Sequence, residues 1–182
     1  MRPLQPDREA RFRALYAEAY PAVLRFATRR VDPSHAEDVV ADAFLVAWRR
    51  IEELPPHQED ARAWLFGITR HCLLNTSRGA ERRQALTVRL AVAAPAAEPA
   101  HDGDADLIAQ RLDVATAWRQ LSATEQEALS LHLFEDLTSP QAARVLGISA
   151  ASYRVRLLRA RRALRRHLEH STPTRVQLEN QP

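Results

Sequence analysis

Apolar residues along this chain recur three and four positions apart, and almost nowhere do they alternate with polar ones. Phe12, Leu15, Tyr16, Ala19, Val23 and Phe26 hold that spacing, which marks one face of an α-helix, and they predict a first long amphipathic helix. Asp32-Pro33 then offers an N-cap with a first-turn proline, and Ser34 with Glu37 offers a capping box as the alternative start. The helix that follows carries Val39, Val40, Ala43, Phe44, Val46 and Ala47 on its apolar side and Trp48 near its end, and Leu54-Pro55-Pro56 closes it. A third helix is expected from near Asp60 through Trp64, Leu65, Ile68, Cys72 and Leu73 to about Gly79.

The pattern lapses from Thr87 to Asp106. That stretch is rich in Ala and Pro, holds neither helical nor strand periodicity, and reads as a linker with no core role. Periodicity returns in shorter pieces: a helix from Leu107 to Leu121, then one opened by a Ser122–Glu125 capping box and ending near Phe134. Ser139 is expected to cap a short helix with Pro140 at its first position, Gly147 to end it in a left-handed conformation, and Ser149 to cap a last helix reaching about His167. A short helix, a glycine turn and a second helix in this order make a helix-turn-helix. The expected fold is therefore all-α. Residues 1–86 form one helical domain, residues 87–106 a flexible linker, residues 107–170 a helix-turn-helix domain, and residues 171–182 a short polar tail.

Composition narrows the class. Of 182 residues, 46% are hydrophobic, enough for a packed core. Alanine, leucine and arginine dominate, while glycine is scarce, which excludes collagenous, disulfide-knotted and large β-barrel architectures. All 26 basic residues are arginine, so every cationic side chain is a planar, permanently charged fork suited to phosphate or carboxylate. Against 23 acids they leave a net charge of +3, distributed as +2 over residues 1–86, −3 over 87–106 and +4 over 107–182. The single cysteine, Cys72, cannot form an internal disulfide and suits a reducing compartment. Residues 1–12 carry no apolar signal-peptide core, and the apolar run Leu90–Ala97 is too short to span a bilayer. A cytoplasmic protein without membrane insertion is expected.

The last helix is the most informative element. Tyr153, Leu157, Ala160, Leu164 and Leu168 form its packing stripe, and Arg154, Arg156, Arg159, Arg161, Arg162, Arg165 and Arg166 surround it. No acid stands between Asp136 and Glu169 to neutralise them. A solvated cationic bundle helix would account for the charge alone. The helix-turn-helix spacing points instead to DNA, with arginine either bidentate to guanine or clamped on phosphate. The first domain holds a second group, Arg70, Arg78, Arg82 and Arg83, interleaved with Trp64, Phe66, His71 and Asn75. Rings and amides of this kind suit unpaired bases, although Trp64 and Phe66 at this spacing are more often core than platform. The acidic second helix, with Glu37, Asp38 and Asp42, reads either as a solvated face or as a docking surface for a basic partner.

Three blocks in order resemble the sigma-70 family of RNA polymerase initiation factors, in its extracytoplasmic-function (ECF) group. AEDVVADAFLVAWRR (Ala36 to Arg50) is similar to the family's polymerase-binding helix, and ARAWLFGITRHCLLNTSR (Ala61 to Arg78) to the helix that opens and reads the minus-10 element. LSATEQEALSLHLFEDLTSPQAARVLGISAASYRVRLLRARRALR (Leu121 to Arg165) resembles the minus-35-binding domain. The resemblance implies polymerase contacts at Asp38, Ala41, Asp42, Phe44 and Trp48. It implies minus-10 contacts at Trp64, His71, Asn75, Arg78, Arg82 and Arg83, and minus-35 contacts at Ser152, Tyr153, Arg154, Arg156, Arg159, Arg161 and Arg162. Bacterial core RNA polymerase, promoter DNA and an anti-sigma factor are the partners it implies, with no cofactor. Ala41 stands where the family commonly has glutamine, His71 where it often has asparagine, and Tyr153 where it has a small aliphatic residue.

Two other classes fit these residues less well. An enzyme or metal protein is disfavoured: His167 and His170 are three residues apart, yet no cysteine or acid pair completes a site, and adjacent His71 and Cys72 diverge on a helix. A stand-alone helix-turn-helix regulator with an unrelated N-terminal sensor domain would bind an operator tightly by itself. A sigma factor would instead need core polymerase.

Overall fold

In the computed structural model, residues 8–76, 86–90 and 102–171 are described, and they form seven α-helices, one 3-10 turn and no strand. Arg78, Arg82, Arg83 and the expected helix end at Gly79 lie outside them.

The first bundle consists of α1 (Arg8–Thr28), α2 (Pro33–Arg49) and α3 (Gln58–Thr76), with a 3-10 turn at Ile51–Glu53 before the Leu54-Pro55-Pro56 break. Its core is the apolar stripe of each helix: Val23 and Phe26 from α1, Val39, Val40 and Ala43 from α2, and Leu65, Phe66 and Leu73 from α3. Phe26 and Phe66 stack with centroids 4.9 Å apart. Phe66 is therefore core and not a base-stacking platform. Of the two starts expected for α2, the structure takes Asp32-Pro33. The Asp32 side chain makes no capping bond, however, and its carboxylate accepts from Arg89 at 3.1 Å.

The second bundle holds α4 (Asp102–Arg119), α5 (Ala123–Leu133), α6 (Ser139–Leu146) and α7 (Ala150–Ser171). The Ser122–Glu125 capping box forms, with Ser122 N donating to Glu125 at 2.9 Å. The cap of α6 lies one residue earlier than expected, on Thr138, whose N–H and hydroxyl both donate to the Gln141 side-chain Oε1, and Pro140 follows in the second helical position. Gly147 is left-handed at φ 67, and Ser149 accepts from Ser152 N at 3.1 Å to open α7. A Cβ on Gly147 would meet nothing within 4 Å, so Gly147→Ala carries backbone strain alone. We expect a loss of about 1–2 kcal/mol in urea unfolding, with the turn retained.

Two features correct the linker reading. Helix α4 begins at Asp102, inside the stretch read as linker; acidic residues favour the first turn of a helix, a signal that the surrounding Ala/Pro composition obscured. Val88 is 1% exposed and is seated in the core. Its N–H donates to Gln126 Oε1 at 3.0 Å, its carbonyl accepts from Trp118 Nε1 at 2.7 Å, and Arg89 N donates to the Arg29 carbonyl at 2.7 Å. Residues 86–90 thus clasp both bundles. Amphipathic periodicity cannot reveal a single extended residue held by its backbone.

The bundles pack through α3 on α6, close enough that a Cβ on Gly67 would stand 3.8 Å from the Val145 Cα. Around this seam run ion pairs. Arg70 donates to both Glu127 oxygens at 2.7 and 3.1 Å, Arg29 to Glu135 at 3.2 Å, and Arg144 to Asp60 at 2.6 Å. Arg30 donates to Ser130 Oγ at 2.9 Å, and Arg62 to the Glu135 carbonyl at 2.9 Å. Burial lowers the Arg30 guanidinium to about 10, opposed by the charges of Glu135 and Glu127. Burial also pushes the Glu135 carboxyl up, with Arg30 and Arg29 opposing. The Nε groups of Arg30 and Arg62 are buried without a hydrogen-bond partner, a cost that the docked state carries.

Candidate nucleic-acid and polymerase interfaces

On α7 the core side is Tyr153, Leu157, Ala160 and Ala163, all buried. Every arginine from Arg154 to Arg166 lies off that side: Arg156 is half-buried and the others are exposed. Arg161 shares a 2.7 Å hydrogen bond with His132 Nε2. Arg159, Arg162, Arg165 and Arg166 line a groove of about 500 Å³ with one acid, Glu125, which is already engaged in its capping box. The groove is therefore strongly cationic, a surface whose charge suits a polyanion. Ser152 is exposed at the first turn, paired with Ser149 at 2.9 Å.

Tyr153 does not join this face. It is 0% exposed, its hydroxyl donates to the Ala128 carbonyl at 2.9 Å, and burial pushes its phenol up to about 12. Its place is beneath the recognition helix, positioning it on α5. The sequence carried the signal, since Tyr153 opens the apolar stripe.

On α3 the expected minus-10 residues Trp64, His71 and Asn75 share one helical face but differ in exposure. His71 and Asn75 are exposed, while Trp64 is half-buried. Trp64 and His71 line a cleft of about 490 Å³ with Val46, Val145 and Gly147, where the turn of the second bundle approaches the first. Arg70 is spent on Glu127 and offers no cation to nucleic acid in this arrangement. Cys72 borders the same cleft; burial, with the Asp42 charge adding, pushes its thiol up, so thiolate is scarce near neutral pH.

On α2, Asp38, Ala41 and Asp42 are exposed at helical three- and four-residue spacing and share one face. The spacing continues to Leu45, which is 56% exposed and which the sequence reading missed although it stands four residues beyond Ala41. Phe44 turns the other way. It is 4% exposed and packs on Phe12 and Tyr16 with centroids 6.1 and 4.7 Å away, so it supports the helix from beneath. Trp48 is half-buried against Phe12 and under the Arg8 guanidinium.

An outward acidic face and an arginine-faced recognition helix thus occur in one chain, in the order that the sequence motifs have. Residues 15–83 match the family model of Sigma-70 region 2, and residues 108–164 that of Sigma-70, region 4. Over 167 residues the chain is 33% identical to the ECF RNA polymerase sigma factor SigL of Mycobacterium tuberculosis strain H37Rv, spanning 91% of this chain and 93% of that protein. The chain belongs to the ECF sigma factors.

Solved structures agree with this sigma factor in fold. The sigma factor RpoE of Bartonella quintana, crystallised with the anti-sigma factor NepR, superposes with a TM-score of 0.61 at 25% identity, covering 87% of this chain and 96% of that one. CnrH in complex with the cytosolic domain of CnrY superposes at 0.59 with 26% identity, covering 91% of each chain. The region 2 match in the N-terminal bundle disfavours a free-standing regulator with an unrelated sensor. The sigma factor is a transcription initiation factor that acts with core RNA polymerase on promoter DNA, and it is not an enzyme. Among its described residues no helix is long and apolar enough to cross a membrane.

Proposed function

We propose that this sigma factor divides its work among three surfaces. Asp38, Ala41 and Asp42, with Trp48 at the margin, meet core polymerase. Trp64, His71 and Asn75, joined by Arg78, Arg82 and Arg83, engage the minus-10 element as it opens. Ser152, Arg154, Arg156, Arg159, Arg161 and Arg162 bind the minus-35 element. Residues 1–86 and 107–170 serve as the two promoter-binding modules, and the cytoplasm is the compartment where polymerase is met. The supporting observation is the exposure of Asp38 and Asp42 on a face of α2 remote in sequence from the α7 arginines, so that polymerase and DNA need not compete. Two solved relatives are held by partner proteins, which supports an anti-sigma partner here.

Run-off transcription with bacterial core polymerase and a genomic fragment library tests the reading. Protein-dependent transcripts sharing paired upstream motifs are expected. The double variant Asp38→Asn, Asp42→Asn should bind core about tenfold more weakly, ~1.4 kcal/mol, with a flatter salt dependence. Silence of core polymerase, with specific fragment retention by the chain alone, would overturn it.

A further inference from the structure

The recognition helix carries a second pattern inside its cationic one. Taking Tyr153 as the core direction and about 100° per residue, Leu158 lies about 140° round the helix, Arg162 about 180° and Val155 about 200°. The stripe that points directly away from the core therefore begins apolar. Val155 is 48% and Leu158 49% exposed, and neither is covered in the arrangement seen. Three residues apart, they form one patch about 5–6 Å across. By the same reckoning Arg154 and Arg161 fall about 80–100° round on one flank, and Arg159 and Arg166 about 220–240° round on the other.

An occupant of this face must be anionic along two rims and apolar along a line between them. The DNA major groove has that form. Phosphates border it on both sides, it is about 12 Å wide, and the thymine C5-methyl is the apolar group on its floor. The N-terminal half of a recognition helix is the part that reaches base edges, and both residues lie there, in α7 from Ala150. We infer that Val155 and Leu158 are specificity-determining residues that read thymine methyl groups in the upstream promoter element, between flanking arginines that hold phosphate or guanine. The inference rests on the minus-35 role proposed above for α7.

The test uses the full chain with core polymerase. The upstream element is selected from a randomised duplex library, and each thymine in it is then replaced singly by uracil, which removes only the methyl. At one or two positions the replacement should weaken binding about fourfold, the ratio for ~0.8 kcal/mol of buried methyl. Val155→Ala or Leu158→Ala should cause a similar loss on thymine and abolish the distinction from uracil. Both side chains are half exposed, so unchanged thermal melts are expected and exclude a folding effect. An element without thymine, or uracil replacement without effect at every position, overturns the inference. So does undiminished thymine discrimination in both variants, which would place the preference in DNA shape. Variants that keep promoter affinity but lose a captured protein partner would assign the face to protein instead. Should core polymerase stay silent while the chain alone selects an element, the sigma assignment of α7 fails, and the uracil series on that element still decides the methyl contact.

Discussion

Replacing Glu127 with alanine is expected to part the two bundles while leaving each folded. Glu127 is 2% exposed, and both its oxygens accept from Arg70, whose side chain is 12% exposed. Its charge also supports Arg30, which is buried in the same seam. Removing one partner of a buried ion pair costs about 3–5 kcal/mol, mostly through the uncompensated charge left behind. Here that cost has an escape. Arg70 lies on α3 and Arg30 in the turn that follows α1, while Glu127 lies on α5, so separation returns both guanidiniums to water and relieves the unpartnered Nε of Arg30. A compact chain of this length has a radius of gyration of about 16 Å. Small-angle scattering should show a clear rise above that for Glu127→Ala, with far-UV helicity unchanged.

The consequence for initiation is geometric. Elements named minus-35 and minus-10 are about 25 base pairs, roughly 85 Å, apart at 3.4 Å per base pair, whereas a compact globule of that radius is about 40 Å across. The docked arrangement cannot touch both, so the promoter-bound chain must be extended. Glu127→Ala should therefore raise transcription at limiting sigma factor. A compact variant with a merely lower melting point would show that the ion pair only stabilises the fold.

Tyr153→Ala should give the largest stability loss in the helix-turn-helix bundle. The ring is fully buried at the α5–α7 contact, and truncating a buried aromatic costs about 3–5 kcal/mol. The Ala128 carbonyl also loses its donor, worth about 1 kcal/mol more. Tyr153→Phe retains the ring and should lose only about 1–2 kcal/mol by urea unfolding. Upstream-element affinity separates support from contact. A residue beneath the helix leaves the Phe variant's affinity intact while it stays folded, whereas a base-contacting hydroxyl would weaken binding in the folded variant too.

Glu127, whose partner lies 57 residues away, marks where sequence reading stops. The helices, the Ser122–Glu125 box and the Gly147 turn were legible because each depends on residues within four positions of one another. The arginine density of α7 was legible for the same reason, and it already pointed to a polyanion. Family motifs extended the reading to polymerase and promoter. They placed Phe44 and Tyr153 among contacts, since a motif records that a position matters without recording which way its side chain faces.

The sequence by itself determined two helical modules, their order, and a cationic recognition helix, because local periodicity, capping and charge need no knowledge of the rest of the chain. Only the tertiary structure decided that Arg70 serves Glu127, 57 residues away, and Arg29 serves Glu135, 106 residues away. It alone seated Val88 between the bundles and left Val155 and Leu158 uncovered within the arginine face. The physical reason is that an arginine in sequence is an uncommitted charge. Whether it meets DNA or a carboxylate depends on which surfaces dock, and docking is set by shape and charge matched across distant segments.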